Sequence, residues 1–178
     1  MRRLMQIILA LAMLVMVAGL ATAACGSVPA DTEQSILAYV NAQRQANGLT
    51  PMTLDTSLSA IARAHSSDMV NRNYFSHTNP EGLGPTQRAE RAGYNVRKQV
   101  APNSYRVGIG ENLGIMPTGN VRGYGYIGND GDSVARALVT MWMNSPGHKA
   151  NILNPQFDRI GIGVAAKGTW YYGTQTFF

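Results

Sequence analysis

The strongest constraint on the fold is a segment at residues 160–164 in which isoleucine and valine alternate with Gly161 and Gly163. Alternation with a period of two is typical of a β-strand, because successive side chains point to opposite faces of a sheet. The two glycines leave one face of this strand without side chains, so another element can pack closely there or the face can line a groove. Residues 167–168 can turn the chain into the aromatic, threonine-rich segment 170–178, which predicts a β-hairpin.

The earlier part of the chain carries helical patterns instead. Apolar side chains at helical spacing, bounded by capping residues, predict four helices after a short tether at residues 25–31. These helices are expected from Asp31 or Thr32 to about residue 46, from Asp55 to about residue 70, over residues 85–92, and from Asp132 to Ser145. Helices followed by strands, with one helix between the strands, predict an α+β domain built in layers around an antiparallel sheet.

The first 24 residues have the layout of a secretory signal peptide. Arg2 and Arg3 give a positive start, an apolar stretch follows, and residues 21–24 are small. The only cysteine, Cys25, comes next, and the segment resembles a bacterial lipoprotein signal in which the cysteine is lipidated and becomes the new N-terminus. The alternative is ordinary cleavage near residue 23 or 24, which leaves a free thiol. We therefore expect an exported domain at residues 32–178 that is anchored to a membrane face through lipidated Cys25.

The charge distribution argues against a nucleic acid partner. The whole chain has a formal net charge of +5, which falls to +3 once Arg2 and Arg3 leave with the leader. The basic residues between positions 88 and 106 are dispersed, and no run of five like charges occurs, which is typical of a solvated surface.

Three short polar segments carry the residues with the most chemistry. They lie at residues 74–77, 110–112 and 145–153, and each sets one ionisable side chain in apolar, turn-forming sequence. These side chains are His77, Glu111 and His148. If the fold brings them together, they form a His/Glu/His site; if it does not, they are loop side chains.

Glu111 is the strongest acidic candidate. In a strand over residues 107–115 it shares one face with Leu113 and other apolar side chains. A carboxylate on a buried face must be paired, metal-bound or protonated, because an unpaired buried charge is costly. The alternative is that the strand breaks at Gly110 and that Glu111 faces water.

Two further features have structural interpretations. His65 lies on the apolar stripe of the second helix, so we expect a core histidine with a local hydrogen bond. Residues 116–131 are rich in glycine and are expected to form a long loop, which is either a lid or rim or simply mobile.

Five motifs occur in a fixed order along the chain. They are residues 61–69, Tyr-Phe-Ser-His at 74–77, Gly-Glu-Asn-Leu at 110–113, residues 142–153, and Ile-Gly-Ile-Gly-Val at 160–164. Together they resemble the CAP superfamily of cysteine-rich secretory, antigen 5 and pathogenesis-related 1 proteins, also called the SCP domain, and they are most similar to its compact bacterial branch. The resemblance implies an α-β-α sandwich in which helices flank a central antiparallel sheet. It also implies a cleft lined by two histidines and up to two glutamates.

The family histidines fall on His77 and His148, the first glutamate falls on Glu111, and the second falls on Ser145. The tetrad of the family is therefore incomplete in this chain. Two histidines, together with Glu111, can bind Zn²⁺ or another divalent metal with an open position. Ser145, His148 and Glu111 as nucleophile, base and orienting acid are a weaker alternative, because no nucleophile-elbow sequence surrounds Ser145.

The resemblance favours a binding cleft over a catalytic one, because a fold does not by itself imply an enzymatic activity. We expect a secreted, surface-tethered module that binds a small or lipid-like ligand or a component of the cell envelope. One alternative is a metal-dependent hydrolase of peptide or cell-wall substrates, with Glu111 and His148 as candidate catalytic residues. Another is a structural or adhesion module.

Overall fold

The computed structural model describes residues 27–178, so the expected signal peptide and Cys25 lie outside the described residues. Five helices and eight strands are present in this part of the chain. In order they are α1 (Val28–Ala46), β1 (Thr53–Leu54), α2 (Thr56–Arg72), α3 (Pro85–Arg91), β2 (Arg97–Ala101), β3 (Ser104–Val107), β4 (Gly110–Pro117), β5 (Gly119–Val121), β6 (Gly125–Ile127), α4 (Gly131–Asn144), α5 (Pro146–Ile152), β7 (Arg159–Lys167) and β8 (Trp170–Phe177).

The central sheet has the strand order β1-β7-β8-β4. β4 pairs with β8, and β8 with β7, in antiparallel register without a bulge. The two-residue strand β1 adds a short parallel pair at the outer edge of β7. The predicted hairpin at the end of the chain is therefore confirmed as β7 and β8, and it forms the middle of the sheet.

The glycine face of β7 is covered by α2. A Cβ atom added at Gly161 would lie 2.3 Å from the backbone carbon of Leu58, and one at Gly163 would lie 2.1 Å from the nitrogen of Arg63. Only glycine allows a helix backbone to lie this close to a strand. The expectation that another element packs against this bare face is confirmed.

The opposite face of the sheet packs against α1, α4 and α5. Ile36 and Val40 of α1, Trp142 of α4 and Ile162 of β7 are fully buried in one apolar cluster between these layers. The indole Nε1 of Trp142 donates a hydrogen bond of 2.9 Å to the carbonyl oxygen of Leu113 in β4. With α2 on one face and these helices on the other, the α-β-α sandwich is confirmed.

Arg44, near the end of α1, fixes the segment that follows α5. Its side chain is 1% exposed and donates hydrogen bonds to four backbone carbonyl oxygens. These oxygens belong to Thr50, Ile152, Asn154 and Phe157. Burial lowers the pKa of the guanidinium, but the carbonyl dipoles compensate for much of its lost hydration. The end of α5 is thereby anchored to α1.

Three boundaries differ from the sequence-based expectations. α1 begins at Val28, because Ser27 accepts a hydrogen bond from the Ala30 N–H, so most of the expected tether is helical. The N-cap of α4 is Asp130, which accepts from the Ser133 N–H, and not Asp132. Residues 116–131 are not one loop, because they contain the end of β4 and the β5–β6 hairpin.

The strand expected over residues 107–115 is also divided. Gly108 has a φ angle of +113°, a left-handed conformation that other residues rarely adopt, and it separates β3 from β4. Val107 ends β3 and is 65% exposed, so it does not share the buried face of Glu111. None of the helices in residues 27–178 is both long enough and apolar enough to cross a membrane.

Replacing Gly163 with alanine tests the close packing of α2 on β7. The added methyl group would overlap the backbone of α2, and we expect a loss of about 2 kcal/mol in the free energy of unfolding, measured with urea. Gly147→Ala is the matched control, because a Cβ atom there meets nothing within 4 Å. Equal unfolding midpoints for the two variants would contradict the packing described here.

Candidate functional site

The candidate site lies at β4, the outer strand of the central sheet on the side opposite β1. Four elements contribute side chains: the loop after α2 carries His77, α3 carries Arg88, β4 carries Glu111 and α5 carries His148. Two of the three polar segments singled out in the sequence, around His77 and Glu111, meet through their side chains. The third, around His148, is joined to the Glu111 segment by hydrogen bonds from the side chains of Asn112 and Asn151.

Glu111 is buried and paired, as the strand pattern requires. Its side chain is 1% exposed, and one carboxylate oxygen, Oε1, lies 2.8 Å from Nδ1 of His77. The other oxygen, Oε2, accepts a hydrogen bond from the guanidinium of Arg88, whose side chain is 9% exposed. The alternative that Glu111 faces water is therefore wrong. Charge-assisted bonds on both oxygens compensate for the hydration that the carboxylate loses.

Arg88 is the site residue that sequence reasoning missed. Besides Glu111, its guanidinium donates to the carbonyl oxygens of His77 and Leu83. One cation thus neutralises the buried carboxylate and also holds the loop that carries His77. The requirement that a buried Glu111 be paired was a signal for such a cation, but Arg88 was grouped with the dispersed surface charges.

The bond to Glu111 fixes the orientation of the His77 ring. When Nδ1–H donates to the carboxylate, Nε2 is left with the lone pair. The ring is about half exposed, and no hydrogen bond engages Nε2 within the part of the chain that the structure describes. His77 therefore presents an oriented acceptor nitrogen at the surface.

Two asparagines join the polar segments around Glu111 and His148. Asn112 donates to the backbone oxygen of His148 at 3.0 Å. Asn151 donates to the side-chain oxygen of Asn112 at 2.8 Å and to the backbone oxygen of Glu111 at 3.2 Å. These bonds explain why both segments contain asparagine, and they hold α5 against β4.

His148 completes the set of ionisable side chains. Its Nδ1 atom is buried and has no hydrogen-bond partner within residues 27–178. Burial lowers the pKa of its imidazole, and the charge that His77 can carry lowers the pKa further. The ring is therefore biased toward the neutral form, which is the form that binds metals or accepts protons.

The geometry narrows the ways in which a metal ion could be held. Within the described residues, no three His, Cys, Asp or Glu side chains are grouped so that they could hold an ion. Arg88 and His77 occupy both oxygens of Glu111, so this carboxylate is placed to orient His77 and not to bind the ion itself. Among residues 27–178, Nε2 of His77 and Nδ1 of His148 are imidazole nitrogens of this cluster that no hydrogen bond engages.

Ser145 is the junction between α4 and α5, and its backbone is extended. Its N–H donates to the Trp142 carbonyl, and its own carbonyl accepts from Lys149. No side-chain hydrogen bond to His148 or Glu111 is formed among residues 27–178, so a nucleophile, base and acid are not aligned there. The structure gives Ser145 a role in connecting the two helices.

His65 positions the loop that carries His77. The imidazole is 2% exposed, and its Nε2 lies 3.0 Å from the carbonyl oxygen of Ser76. Burial lowers its pKa, so the neutral ring can donate to this carbonyl. The core position of His65 was predicted correctly, but its hydrogen bond reaches the next loop and is not local to α2. Its contact with the residue next to His77 was not predicted.

Glu111→Gln tests the buried ion pair. The substitution leaves Arg88 buried without a counter-charge, and we expect the free energy of unfolding to fall by about 3 kcal/mol. The double variant Glu111→Gln/Arg88→Met should lose less, because it removes both charges. Glu81→Gln, which removes a carboxylate from an exposed pair with Arg72, is the control and should leave the midpoint almost unchanged. A double variant that is less stable than Glu111→Gln would contradict the pairing.

Comparison with known proteins gives the family. The sequence model of the cysteine-rich secretory protein family (CAP) matches residues 37–178. The uncharacterized protein YkwD of Bacillus subtilis is 35% identical over 148 residues, which are 83% of this chain and 48% of YkwD. The chain thus spans about half the length of that relative.

Solved structures agree with this match. An extracellular protein containing an SCP domain from Bacillus anthracis has a TM-score of 0.60 and 28% identity, over 84% of this chain and 41% of that chain. An outer surface protein from Borrelia burgdorferi has a TM-score of 0.62 at 17% identity, over 83% of this chain and 91% of that chain, and it shares the fold. On its motifs, its fold and the family match, this chain belongs to the CAP superfamily.

Proposed function

We propose that this domain is an envelope-facing binding module for an amphiphilic ligand. The apolar part of the ligand would lie in a groove between α2 and α3, and its polar head would lie near the cluster of His77, Glu111 and Arg88. The observation that carries the proposal is that Arg88 is part of both the groove and the polar cluster. It lines the groove, and it holds Glu111 and the His77 loop.

The groove is formed by two adjoining cavities. The first, of about 430 Å³, is lined by Ile61, Ala64, His65, Leu83 and Arg88 among others. The second, of about 370 Å³, shares Ile61 and Ala64 with it and extends to Tyr94. Small and apolar side chains form most of the floor, so an extended hydrocarbon chain could exclude water along it.

Basic side chains surround one end of the groove. Arg72, Arg88 and Arg91 line this end, against one carboxylate from Asp68. Arg72 is held by Asp68 and Glu81, and Arg88 is held by Glu111, whereas Arg91 is exposed at the rim. Arg91 is therefore the guanidinium that would bind the carboxylate or phosphate head group of the ligand in bidentate geometry.

A fluorescent long-chain fatty acid can test the groove directly. Ala64→Trp places a large ring on the exposed floor, and we expect it to weaken probe binding by more than tenfold. Arg91→Glu should weaken binding of the anionic probe but not of its methyl ester. Ser67→Trp is the control, because Ser67 is exposed on α2 and lies outside the groove. Equal affinities for the Ala64→Trp and Ser67→Trp variants would refute this proposal.

Divalent metal binding is a second part of the proposal. It is supported by the oriented Nε2 of His77 and by Nδ1 of His148, which has no hydrogen-bond partner within residues 27–178. The two imidazoles would hold the ion, Glu111 would keep His77 in the required tautomer, and ligand or water would complete the coordination. Such an ion would supply a positive charge for an anionic head group.

Isothermal titration with Zn²⁺ tests the two ligands. His77→Ala and His148→Ala should each weaken binding, and the double variant should abolish it. Asp158→Asn is a control, because it removes an exposed carboxylate that pairs with Lys98 and is not part of this cluster. Unchanged binding in the double variant would remove His77 and His148 as ligands.

We also propose that the domain is exported and anchored through lipidated Cys25. Support comes from the leader sequence and from the similar Bacillus anthracis protein, which is described as extracellular. Mass spectrometry of the mature N-terminus should find a lipid on Cys25, and an unmodified thiol would contradict the anchor.

A further inference from the structure

A separate cavity of about 390 Å³ lies between the β5–β6 hairpin and the outer face of α4. Tyr124 and Tyr126 come from the hairpin, and Asp132, Ser133, Arg136 and Thr140 come from α4. None of these residues lines the groove beside α2, which lies on the other side of the central sheet. We call this cavity the hairpin cleft.

Two tyrosine rings form one wall of the hairpin cleft. Tyr126 is 76% exposed and Tyr124 is 37% exposed, although tyrosine in a folded domain usually covers apolar neighbours. The hairpin pairs Asn120 with Tyr126, and Tyr124 lies in the turn, where its N–H donates to the carbonyl oxygen of Val121. An exposed, oriented aromatic face provides apolar area at a small cost in conformational entropy.

The floor of the hairpin cleft carries a fixed set of donors and acceptors. The hydroxyl of Tyr39 in α1 donates to Oδ1 of Asp132 at 2.6 Å. Arg136 donates to Oδ2 of Asp132 at 2.9 Å and to the Tyr39 hydroxyl oxygen at 3.1 Å. The carboxylate and the guanidinium are therefore held side by side, and their charges cancel.

The hairpin cleft continues along α4 into a neighbouring cavity of about 420 Å³, with which it shares Arg136 and Thr140. This second part is lined by Tyr39, Gln43 and Asn144 as well. The helix face from Ser133 to Asn144 is about 16 Å long, since a helix rises 1.5 Å per residue. An elongated ligand suits this shape better than a single small ring.

We propose that the hairpin cleft binds a neutral polysaccharide chain. The flat apolar face of a pyranose ring can stack on Tyr124 and Tyr126, and ring hydroxyls both donate and accept hydrogen bonds. Asp132 and Arg136 offer an acceptor and a donor next to each other, and Ser133 and Thr140 add hydroxyl groups. Because the charges of Asp132 and Arg136 cancel, the cleft has no net charge to select an ionic ligand.

The polar floor distinguishes this ligand from the two nearest alternatives. A hydrocarbon chain would exclude water from the carboxylate lone pairs of Asp132 and the N–H groups of Arg136 that their mutual bonds and Tyr39 do not engage, and it could not replace that water. A proline-rich peptide could stack on the tyrosines, but proline lacks the N–H that Asp132 would accept from. A hydroxyl-rich chain satisfies both the rings and the polar floor.

Isothermal titration of residues 27–178 and of the full chain with chitotetraose and maltotetraose tests the proposal. Binding of at least one of these neutral tetrasaccharides is expected, and Tyr126→Ala and Arg136→Ala should each weaken it by more than fivefold. Tyr105→Ala is the matched control, because Tyr105 is a 48% exposed tyrosine on the β2–β3 hairpin. Circular dichroism would establish that each variant is folded.

The outcomes separate this cleft from the proposed amphiphile groove. Ala64→Trp should leave tetrasaccharide binding unchanged, and Tyr126→Ala should leave fatty acid binding unchanged. The proposal is overturned if neither tetrasaccharide binds at millimolar concentration, or if Tyr126→Ala and Tyr105→Ala weaken binding equally. It is also overturned if a proline-rich peptide binds through Tyr126 and the tetrasaccharides do not.

Discussion

The burial of Glu111 is the constraint on which the candidate site depends. A carboxylate that is 1% exposed on a sheet face needs compensation on both oxygens, and Arg88 and His77 supply it. Each partner acquires a fixed position in return. The buried guanidinium of Arg88 in α3 also donates to the backbone carbonyl of His77. The ring of His77 is oriented with Nδ1 toward the carboxylate. One buried charge therefore organises the His77 loop, α3 and β4.

The glycine face of β7 makes this arrangement possible at the level of the fold. Because Gly161 and Gly163 let α2 lie directly on the sheet, the end of α2 delivers the loop of residues 74–77 to the side of β4 that carries Glu111. His65 of α2 then bonds to the carbonyl of Ser76. On the other face, Asn112 and Asn151 bring α5, and so His148, to the same strand. The helical layers on the two faces of the sheet therefore both contribute residues to the site at the edge strand β4.

Much of this could be predicted from the sequence, since periodicity and capping depend on local pattern. The alternation at residues 160–164, the cap at Asp55 and the helix end at Ser145 were read correctly. The alternation of side chains along the predicted strand identified Glu111 as a carboxylate on the buried face. The role of Arg88 depends on a contact across 23 residues of chain, which no local pattern encodes. The β5–β6 hairpin was missed because its glycines also suit an irregular loop.

The state of the His77 ring tests the central claim most directly. Nitrogen-15 NMR of the imidazole side chains distinguishes a protonated ring nitrogen from one that carries a lone pair. If Glu111 is a charged, buried partner, neutral His77 must be protonated at Nδ1 and not at Nε2, and this preference must disappear in Glu111→Gln. A neutral His77 protonated at Nε2, or a tautomer that does not respond to the loss of Glu111, would contradict the account.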